Sequence, residues 1–87
     1  MRMVLNKYPK IDVHGETTET VVFVVQDFIK DNYKMKNKYI VVIHGKGSGA
    51  LKRKVHEILK QDKLVANFEL DAMNIGQTLI ELKKNNE

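Results

Sequence analysis

A run of β-branched and aromatic residues followed by alternating glycines most constrains what this chain can fold into. The run, Tyr39-Ile40-Val41-Val42-Ile43, has the composition of a strand that is buried on both faces. Gly45, Gly47 and Gly49 follow it, and glycines permit positive φ and close approach of a ligand to the backbone. Apolar residues then recur at helical spacing over residues 51–59. We therefore predict a strand, a glycine-rich loop and a helix.

The end of that loop is suited to hold an anion. A helix that begins after such a loop presents unpaired N–H groups and the positive end of its dipole, which together favour a phosphate. A lysine inside the loop and basic residues in the first helical turns add positive charge, and Ser48 is a candidate N-cap. Glycines that only turn the chain are the alternative, but a simple turn rarely needs three of them with a lysine and a histidine. The predicted phosphate-binding residues are Gly45, Lys46, Gly47, Ser48, Gly49, Lys52 and Arg53.

The distribution of charge favours the same segment as a site for polyanions. The 87 residues carry a formal net charge of +4, and residues 30–63 hold ten basic residues against three acidic ones. Such a field attracts nucleic acid first and an anionic membrane second, although a solvated lysine-rich surface without a partner is also common. The sequence shows no signal peptide and no apolar stretch near the ~18 residues of a membrane span. We expect a cytoplasmic monomer with no membrane partner.

The remaining patterns predict the order β-α-β-α-β-β. A helix over residues 17–33 follows from valines and other apolar residues spaced by three and four; a strand over Val21–Val25 is the alternative, because valine has a weak helix preference. Ala66, Phe68 and Leu70 alternate with polar residues, as in a strand with one wet face. We predict strands at 10–13, 39–43, 66–70 and 77–82, and helices at about 17–33 and 50–62.

Two helices that each carry a single apolar stripe can cover one face of a four-stranded sheet. The predicted fold class is therefore α/β, a two-layer sandwich of a four-stranded mixed sheet and two helices. This domain spans residues 10–82, between an N-terminal lead-in at 1–9 and a polar tail at 83–87.

Histidines directly follow the first two predicted strands. If these strands are parallel, His14 and His44 lie at the same sheet edge, where open α/β sheets bind ligands. Asp12 projects from the same face as His14, so its carboxylate can orient the imidazole for proton transfer near neutral pH. We predict a phosphodiester-cleaving site in which Asp12, His14 and His44 are catalytic, and a structural role for His56.

Other motif readings of the loop and the histidines are weaker. The pattern Gly45-x-Gly47-x-x-Ala50 matches a relaxed dinucleotide fingerprint, but the chain is too short for a full doubly wound sheet. No Gly-Lys-Ser or Gly-Lys-Thr ends the glycine run, which excludes a Walker loop. The spacing of the three histidines fits no zinc pattern, and the absence of cysteine excludes thiolate sites and disulfides.

Two of these motifs resemble those of the small MutS-related (Smr) domain family. The segment Ile11-Asp12-Val13-His14-Gly15 resembles its leucine-aspartate-x-histidine-glycine motif, and residues 44–51 resemble its histidine-glycine-x-glycine loop. Thr78, Glu81 and Leu82 fit the closing strand of the family. Lys52 stands where many members place an arginine, and the glycine-rich turn before the last strand is reduced to residues 74–76.

The resemblance implies a fold similar to the C-terminal domain of a bacterial translation initiation factor, and an endonuclease that nicks DNA or cuts RNA. Asp12 and His14 match first-motif residues tied to cleavage, and His44, Gly45, Lys46 and Gly47 match the second motif. Cleavage of RNA needs no metal, whereas cleavage of DNA favours a divalent cation such as magnesium. The alternatives are a nucleic-acid-binding module without chemistry and an adaptor for a ribosome or a repair protein.

Overall fold

Four strands and two helices follow one another in the predicted order. The structure, a computed structural model, describes residues 4–86. Its elements are β1 (Lys10–Asp12), α1 (Thr20–Lys34), β2 (Tyr39–Ile43), α2 (Ala50–Gln61), β3 (Val65–Leu70) and β4 (Gln77–Leu82). The predicted α/β fold with a four-stranded mixed sheet is confirmed. Residues 1–3 of the predicted lead-in and Glu87 of the predicted tail lie outside the described residues.

The sheet brings the ends of the first two strands together. Its strand order is β1-β2-β4-β3, with β1 parallel to β2 and with β4 antiparallel to both of its neighbours. Asp12 pairs with Ile43 in the parallel register, and the N–H of Val13 donates to the Ile43 carbonyl at 2.8 Å. The residues that directly follow β1 and β2 therefore leave the sheet at one common edge.

The core lies between the helices and one face of the sheet. Ile40 and Val42 alternate along β2 and are fully buried, as is Ile80, the partner of Ile40 on β4. They join one apolar cluster with Val25 of α1 and Leu59 of α2. Complete burial of such a side chain contributes about 1.5–3 kcal/mol. Since the same cluster includes both helices, the helix layer covers this face.

The central strand is buried on both faces, as its composition predicts. Val41 lies between Ile40 and Val42 and points to the opposite face of the sheet, yet it is also fully buried. Its pairing partner Leu79 is buried too. On this face the ring of Tyr8, from the lead-in, lies 5.3 Å from the ring of Tyr39.

The first helix begins three residues later than predicted. The segment Val21–Val25 is helical, and Val21 and Val25 are buried one turn apart, so periodicity outweighs the weak helix preference of valine. Before the helix, the N–H of Thr20 donates to Thr17 Oγ1 and the N–H of Thr17 donates to Thr20 Oγ1, both at 3.0 Å. This reciprocal pair holds the turn that residues 17–19 form, which the sequence pattern assigns to the helix.

The predicted alternation of β3 fails at Ala66. Its side chain is exposed, whereas the pattern places it on the apolar face with Phe68 and Leu70. The pairing with β4 steps from Val65↔Leu82 to Asn67↔Glu81, an irregularity that leaves Ala66 as an extra residue. A bulge of this kind shifts the side-chain register by one position, which composition alone does not reveal.

Within residues 4–86, no helix combines the length and apolar character that crossing a membrane requires.

Candidate functional site

His14 and the glycine-rich loop, residues 44–49, meet at the shared edge of β1 and β2. A Cβ placed on Gly45 would lie only 3.4 Å from the Cβ of His14, so the two segments lie side by side. His14 and residues 44–52 line one cleft of about 530 Å³, together with residues 16–18. The parallel pairing of the strands thus produces the juxtaposition that the sequence predicts.

Asp12 holds His14 through two hydrogen bonds. The backbone N–H of His14 donates to Asp12 Oδ1 at 3.0 Å, and the ring Nδ1 lies 2.5 Å from the same oxygen. These bonds lower the pKa of the Asp12 carboxyl, since they favour its charged form. The carboxylate can only accept, so Nδ1 carries a proton and Nε2 of a neutral ring is left as the basic nitrogen. No described residue bonds to Nε2, and the side chain is 70% exposed.

Positive φ angles shape both ends of the loop. Gly45 has φ +86° and Gly49 has φ +88°, a region that L side chains rarely adopt. Gly49 is the N-cap residue of α2, and no side chain caps this helix. Ser48 Oγ lies 3.5 Å from the N–H of Ala50, a long contact that gives the predicted serine cap little weight. Gly47 has no positive φ, and a Cβ there would meet nothing within 4 Å.

The loop offers backbone donors that the protein does not use. Among the described residues, none accepts a hydrogen bond from the N–H groups of residues 46–49. Lys46 is exposed within the loop, and Lys52 and Arg53 lie in the first turn of α2. Successive free N–H groups and lysines at a helix N-terminus form an environment suited to a phosphate.

The first two residues of the loop form hydrogen bonds to the turn that precedes β4. The backbone N–H groups of His44 and Gly45 both donate to the Gly76 carbonyl at 2.9 Å. A Cβ on Gly76 would lie 3.2 Å from both Lys46 Cγ and Asn74 Oδ1, so a larger residue here would require these side chains to shift. Asp71 supports this turn, because its carboxylate accepts from Gln77 Nε2 at 2.7 Å and from the N–H of Met73 at 2.9 Å.

His44 borders the cleft but is almost completely buried, and its ring nitrogens are turned to partners within the protein. The residue is only 4% exposed, and both of its ring nitrogens have partners within the protein. Nδ1 lies 3.1 Å from the Gly45 carbonyl, and Nε2 lies 2.9 Å from Thr78 Oγ1. A catalytic role for His44 stays a prediction, and this geometry favours a part in holding the loop instead.

His56 of α2 completes a three-residue cluster. Its Nε2 lies 2.7 Å from the same Thr78 hydroxyl that contacts His44, and its ring centroid lies 5.1 Å from that of Phe68. Burial lowers the pKa of both histidines, and the positive charge of Lys52 lowers it further. Both rings are therefore favoured in the neutral form.

Asp12 is the carboxylate through which this site could hold a divalent cation. Across residues 4–86 the structure contains no group of three or more histidine, aspartate or glutamate side chains arranged to hold a metal. Mg²⁺ commonly binds through one or two carboxylates together with substrate phosphates, so Asp12 with a bound phosphodiester would suit that mode.

Sequence reasoning misses the contributions of β4 and its preceding turn. Thr78 is a fully buried polar residue in an otherwise mostly apolar strand, which is a weak signal of a hydrogen-bonding role. Its two histidine partners come from β2's end and from α2, and only the tertiary fold brings them together. Gly76 is likewise crowded by Lys46 of the loop as well as by its neighbour Asn74, and only the tertiary fold brings Lys46 close.

Comparison with known proteins connects this chain to one family. The family model described as "Smr domain" matches residues 11–83. The endonuclease MutS2 of Geobacillus sp. (strain WCH70) is 35% identical over 77 residues, which cover 85% of this chain. The chain spans only 10% of the length of that relative.

Solved structures agree on the fold. The crystal structure of the Smr domain of Thermus thermophilus MutS2 superposes with a TM-score of 0.83 at 26% identity, covering 86% of this chain and 98% of that one. YdaL, a stand-alone small MutS-related protein from Escherichia coli, superposes with a TM-score of 0.79 at 20% identity. That match covers 91% of this chain and 70% of YdaL, and it supports the fold alone.

Proposed function

The chain belongs to the Smr domain family, and from this premise we propose that it is an endonuclease that cuts DNA or RNA. The observation that carries the proposal is that His14 and the glycine-rich loop line one cleft: a carboxylate-held imidazole shares this cleft with a segment of free backbone N–H groups. One member supplies a base and the other an anion-binding surface, which are the two parts that phosphodiester cleavage needs.

In the proposed site the loop binds the scissile phosphate. Free N–H groups of residues 46–49, with Lys46 and Lys52, would donate to its non-bridging oxygens. Their contribution grows as negative charge builds up on these oxygens in the transition state. Gly47, which faces open space, leaves room for the phosphate to approach the backbone. Ser48, Gly49 and Arg53 border the same surface.

His14 is the proposed general base, and Asp12 orients it. With Nδ1 bonded to Asp12, the exposed Nε2 faces solvent and can take a proton from an attacking oxygen. On RNA this oxygen is the neighbouring 2′-hydroxyl, which then displaces the 5′-oxygen from phosphorus. On DNA it is a water molecule, and a divalent cation such as magnesium held partly by Asp12 would assist.

A nucleic-acid-binding module without chemistry is the second candidate. The Asp12 and His14 side chains are 50% and 70% exposed, so the pair is not enclosed as many catalytic dyads are. The same loop and lysines would then only grip phosphates. An adaptor that contacts a ribosome or a repair protein through its basic residues is a further form of this non-catalytic function.

One experiment separates these functions. The protein is incubated with supercoiled plasmid and with a stem-loop RNA, each with and without a chelator, beside a His14→Ala variant purified in the same way. Nicked plasmid or cut RNA that His14→Ala fails to produce supports the endonuclease. Binding without product at any enzyme concentration supports the module, and equal cleavage by His14→Ala rejects the assigned base.

A further inference from the structure

We infer that Thr78 and His56 are positioning residues for the glycine-rich loop, acting through a directional hydrogen-bond chain that fixes His44 in the Nδ1–H tautomer. The inference rests on the proposed function only for its consequence, the affinity of the loop for phosphate. The direction of the chain follows from which atoms can donate and which can only accept.

The Gly45 carbonyl sets the first bond of the chain. A carbonyl oxygen has no proton, so the contact of 3.1 Å with His44 Nδ1 requires that Nδ1 carries one. Burial disfavours the charged ring, so Nε2 of His44 is unprotonated and must accept. The partner that donates to it is the Thr78 hydroxyl, at 2.9 Å.

The hydroxyl of Thr78 then sets the protonation of His56. A hydroxyl has one proton, and Thr78 donates it to the hydrogen bond with His44 Nε2. The contact of 2.7 Å between Thr78 Oγ1 and His56 Nε2 must therefore be a bond in which His56 donates. The chain runs from His56 through Thr78 to His44 and ends on the Gly45 carbonyl, and every bond has one donor and one acceptor.

This hydrogen-bond chain affects the shape of the loop because its last acceptor is the carbonyl of a loop residue. Gly45 has positive φ, and its carbonyl is turned toward the His44 ring while its N–H and that of His44 bind the Gly76 carbonyl. The peptide that connects Gly45 to Lys46 is thus held through its carbonyl oxygen, and the peptides before it are held by Gly76. The N–H of the connecting peptide belongs to Lys46, the first of the free donors of the loop. Loss of the hydrogen-bond chain would free the Gly45 carbonyl and allow the peptide between Gly45 and Lys46 to rotate. The Lys46 N–H would then point in a different direction.

The hydrogen-bond chain also explains why β4 carries a buried threonine beside two histidines. Thr78 is fully buried between His44, which follows β2, and His56 of α2. A buried His44 ring and a half-buried His56 ring without partners would be costly, whereas the threonine hydroxyl satisfies one nitrogen of each. No described side chain in the structure has a buried polar atom without a partner.

The first test reads the tautomers directly in the wild-type protein. In ¹⁵N-labelled protein above about pH 7.5, long-range ¹H–¹⁵N correlation distinguishes protonated from unprotonated ring nitrogens. We expect His44 as Nδ1–H and His56 as Nε2–H. An Nε2–H tautomer at His44 would overturn the chain, whatever the protein does to nucleic acid.

The second test breaks and restores the chain. Thr78→Val keeps the branched shape of threonine but removes the hydroxyl, and Thr78→Ser keeps the hydroxyl. Likewise His56→Leu removes the donor, whereas His56→Gln keeps an N–H near the position of Nε2. Affinity for a fluorescein-labelled stem-loop RNA and for a branched DNA should fall about fivefold or more in Thr78→Val and in His56→Leu. Thr78→Ser and His56→Gln should bind nearly as tightly as the wild type.

Backbone resonances keep the test decisive if a variant is destabilised. In Thr78→Val we expect amide shifts concentrated at residues 44–49, with those of α1 unchanged. Unchanged loop resonances and unchanged affinity in Thr78→Val would reject the inference. If the wild-type protein binds neither nucleic acid, the proposed function fails, and the tautomers with the loop shifts decide the inference alone.

Discussion

Asp12 Oδ1 accepts two hydrogen bonds from His14, one from its backbone N–H at 3.0 Å and one from its ring Nδ1 at 2.5 Å. The first bond fixes the backbone where the chain leaves β1, and the second fixes the orientation and tautomer of the ring. A single carboxylate thereby points Nε2 away from β1. Gly45 lies beside His14, and both residues line the cleft.

Removal of either partner should reduce cleavage without loss of fold. His14→Ala deletes the proposed base and should lower the rate by about 10²–10⁴-fold. Asp12→Asn lets the ring turn and change tautomer, so its loss should be smaller than that of His14→Ala. Asp27→Asn, an exposed carboxylate on α1, is the matched control and should retain wild-type activity. Rates from single-turnover cleavage of plasmid or RNA check this order, and a fully active Asp12→Asn would contradict the orienting role.

Replacement by alanine should destabilise the protein at Gly49 but not at Gly47. Gly49 has φ +88° and a Cβ there would lie 3.3 Å from Arg53 Nη1, so Gly49→Ala should lower the free energy of unfolding by about 1–2 kcal/mol. Gly47 has no positive φ and open space around its Cα, so Gly47→Ala should change stability by less than about 0.5 kcal/mol. Urea denaturation measures both variants. Equal losses would mean that the left-handed geometry of Gly49 is not what requires glycine.

The fold follows from sequence patterns because most of them have a local cause. The composition of residues 39–43 predicts burial on both faces, and Val41 and Val42 are fully buried. The spacing of Val21 and Val25 predicts α1, although the helix begins only at Thr20 because the threonine pair holds a separate turn before it. Ala66 is misplaced because a bulge has no signature in composition.

The candidate site is predictable only in the part that two parallel strands impose. Parallel strands deliver His14 and Gly45 to one edge, and the sequence shows both strands. It does not show which way a side chain turns at the end of a strand: His14 turns to the cleft, whereas His44 turns into the core. That difference depends on Thr78 and His56, which reach His44 through tertiary packing.

Charge in the loop should appear as salt-dependent affinity. Lys46→Ala removes one exposed cation beside the free N–H groups, so binding of DNA and RNA should weaken uniformly across sequences. The slope of log affinity against log salt should fall by about one unit. Lys30→Ala, an exposed lysine of α1, is the control for general loss of charge. Equal effects of the two variants would indicate diffuse attraction by the basic segment instead of a phosphate site at the loop.

Stability should decrease in mildly acidic solution because His44 and His56 are held neutral. Burial lowers the pKa of both below the 6.5 of a free imidazole, and Lys52 acts in the same direction on each, as does Lys60 on His56. The unfolded chain therefore takes up protons first as the pH falls through 6.5, so the free energy of unfolding is greatest above that pH and decreases below it.

Asp12 does not produce the same effect. Its pKa is lowered from 3.8, so its contribution is lost only in more acidic solution. Urea denaturation at several pH values between about 5 and 8 measures the free energy of unfolding where it depends on the histidines and not on Asp12. His56→Gln removes one of the two groups and keeps the donor to Thr78, so its stability should depend less steeply on pH than that of the wild type. A wild-type stability that stays constant over this pH range would mean that the folded protein accepts a proton at His44 or His56 as readily as the unfolded polypeptide does. The hydrogen bonds through Thr78 with both rings neutral would then not be the stable arrangement.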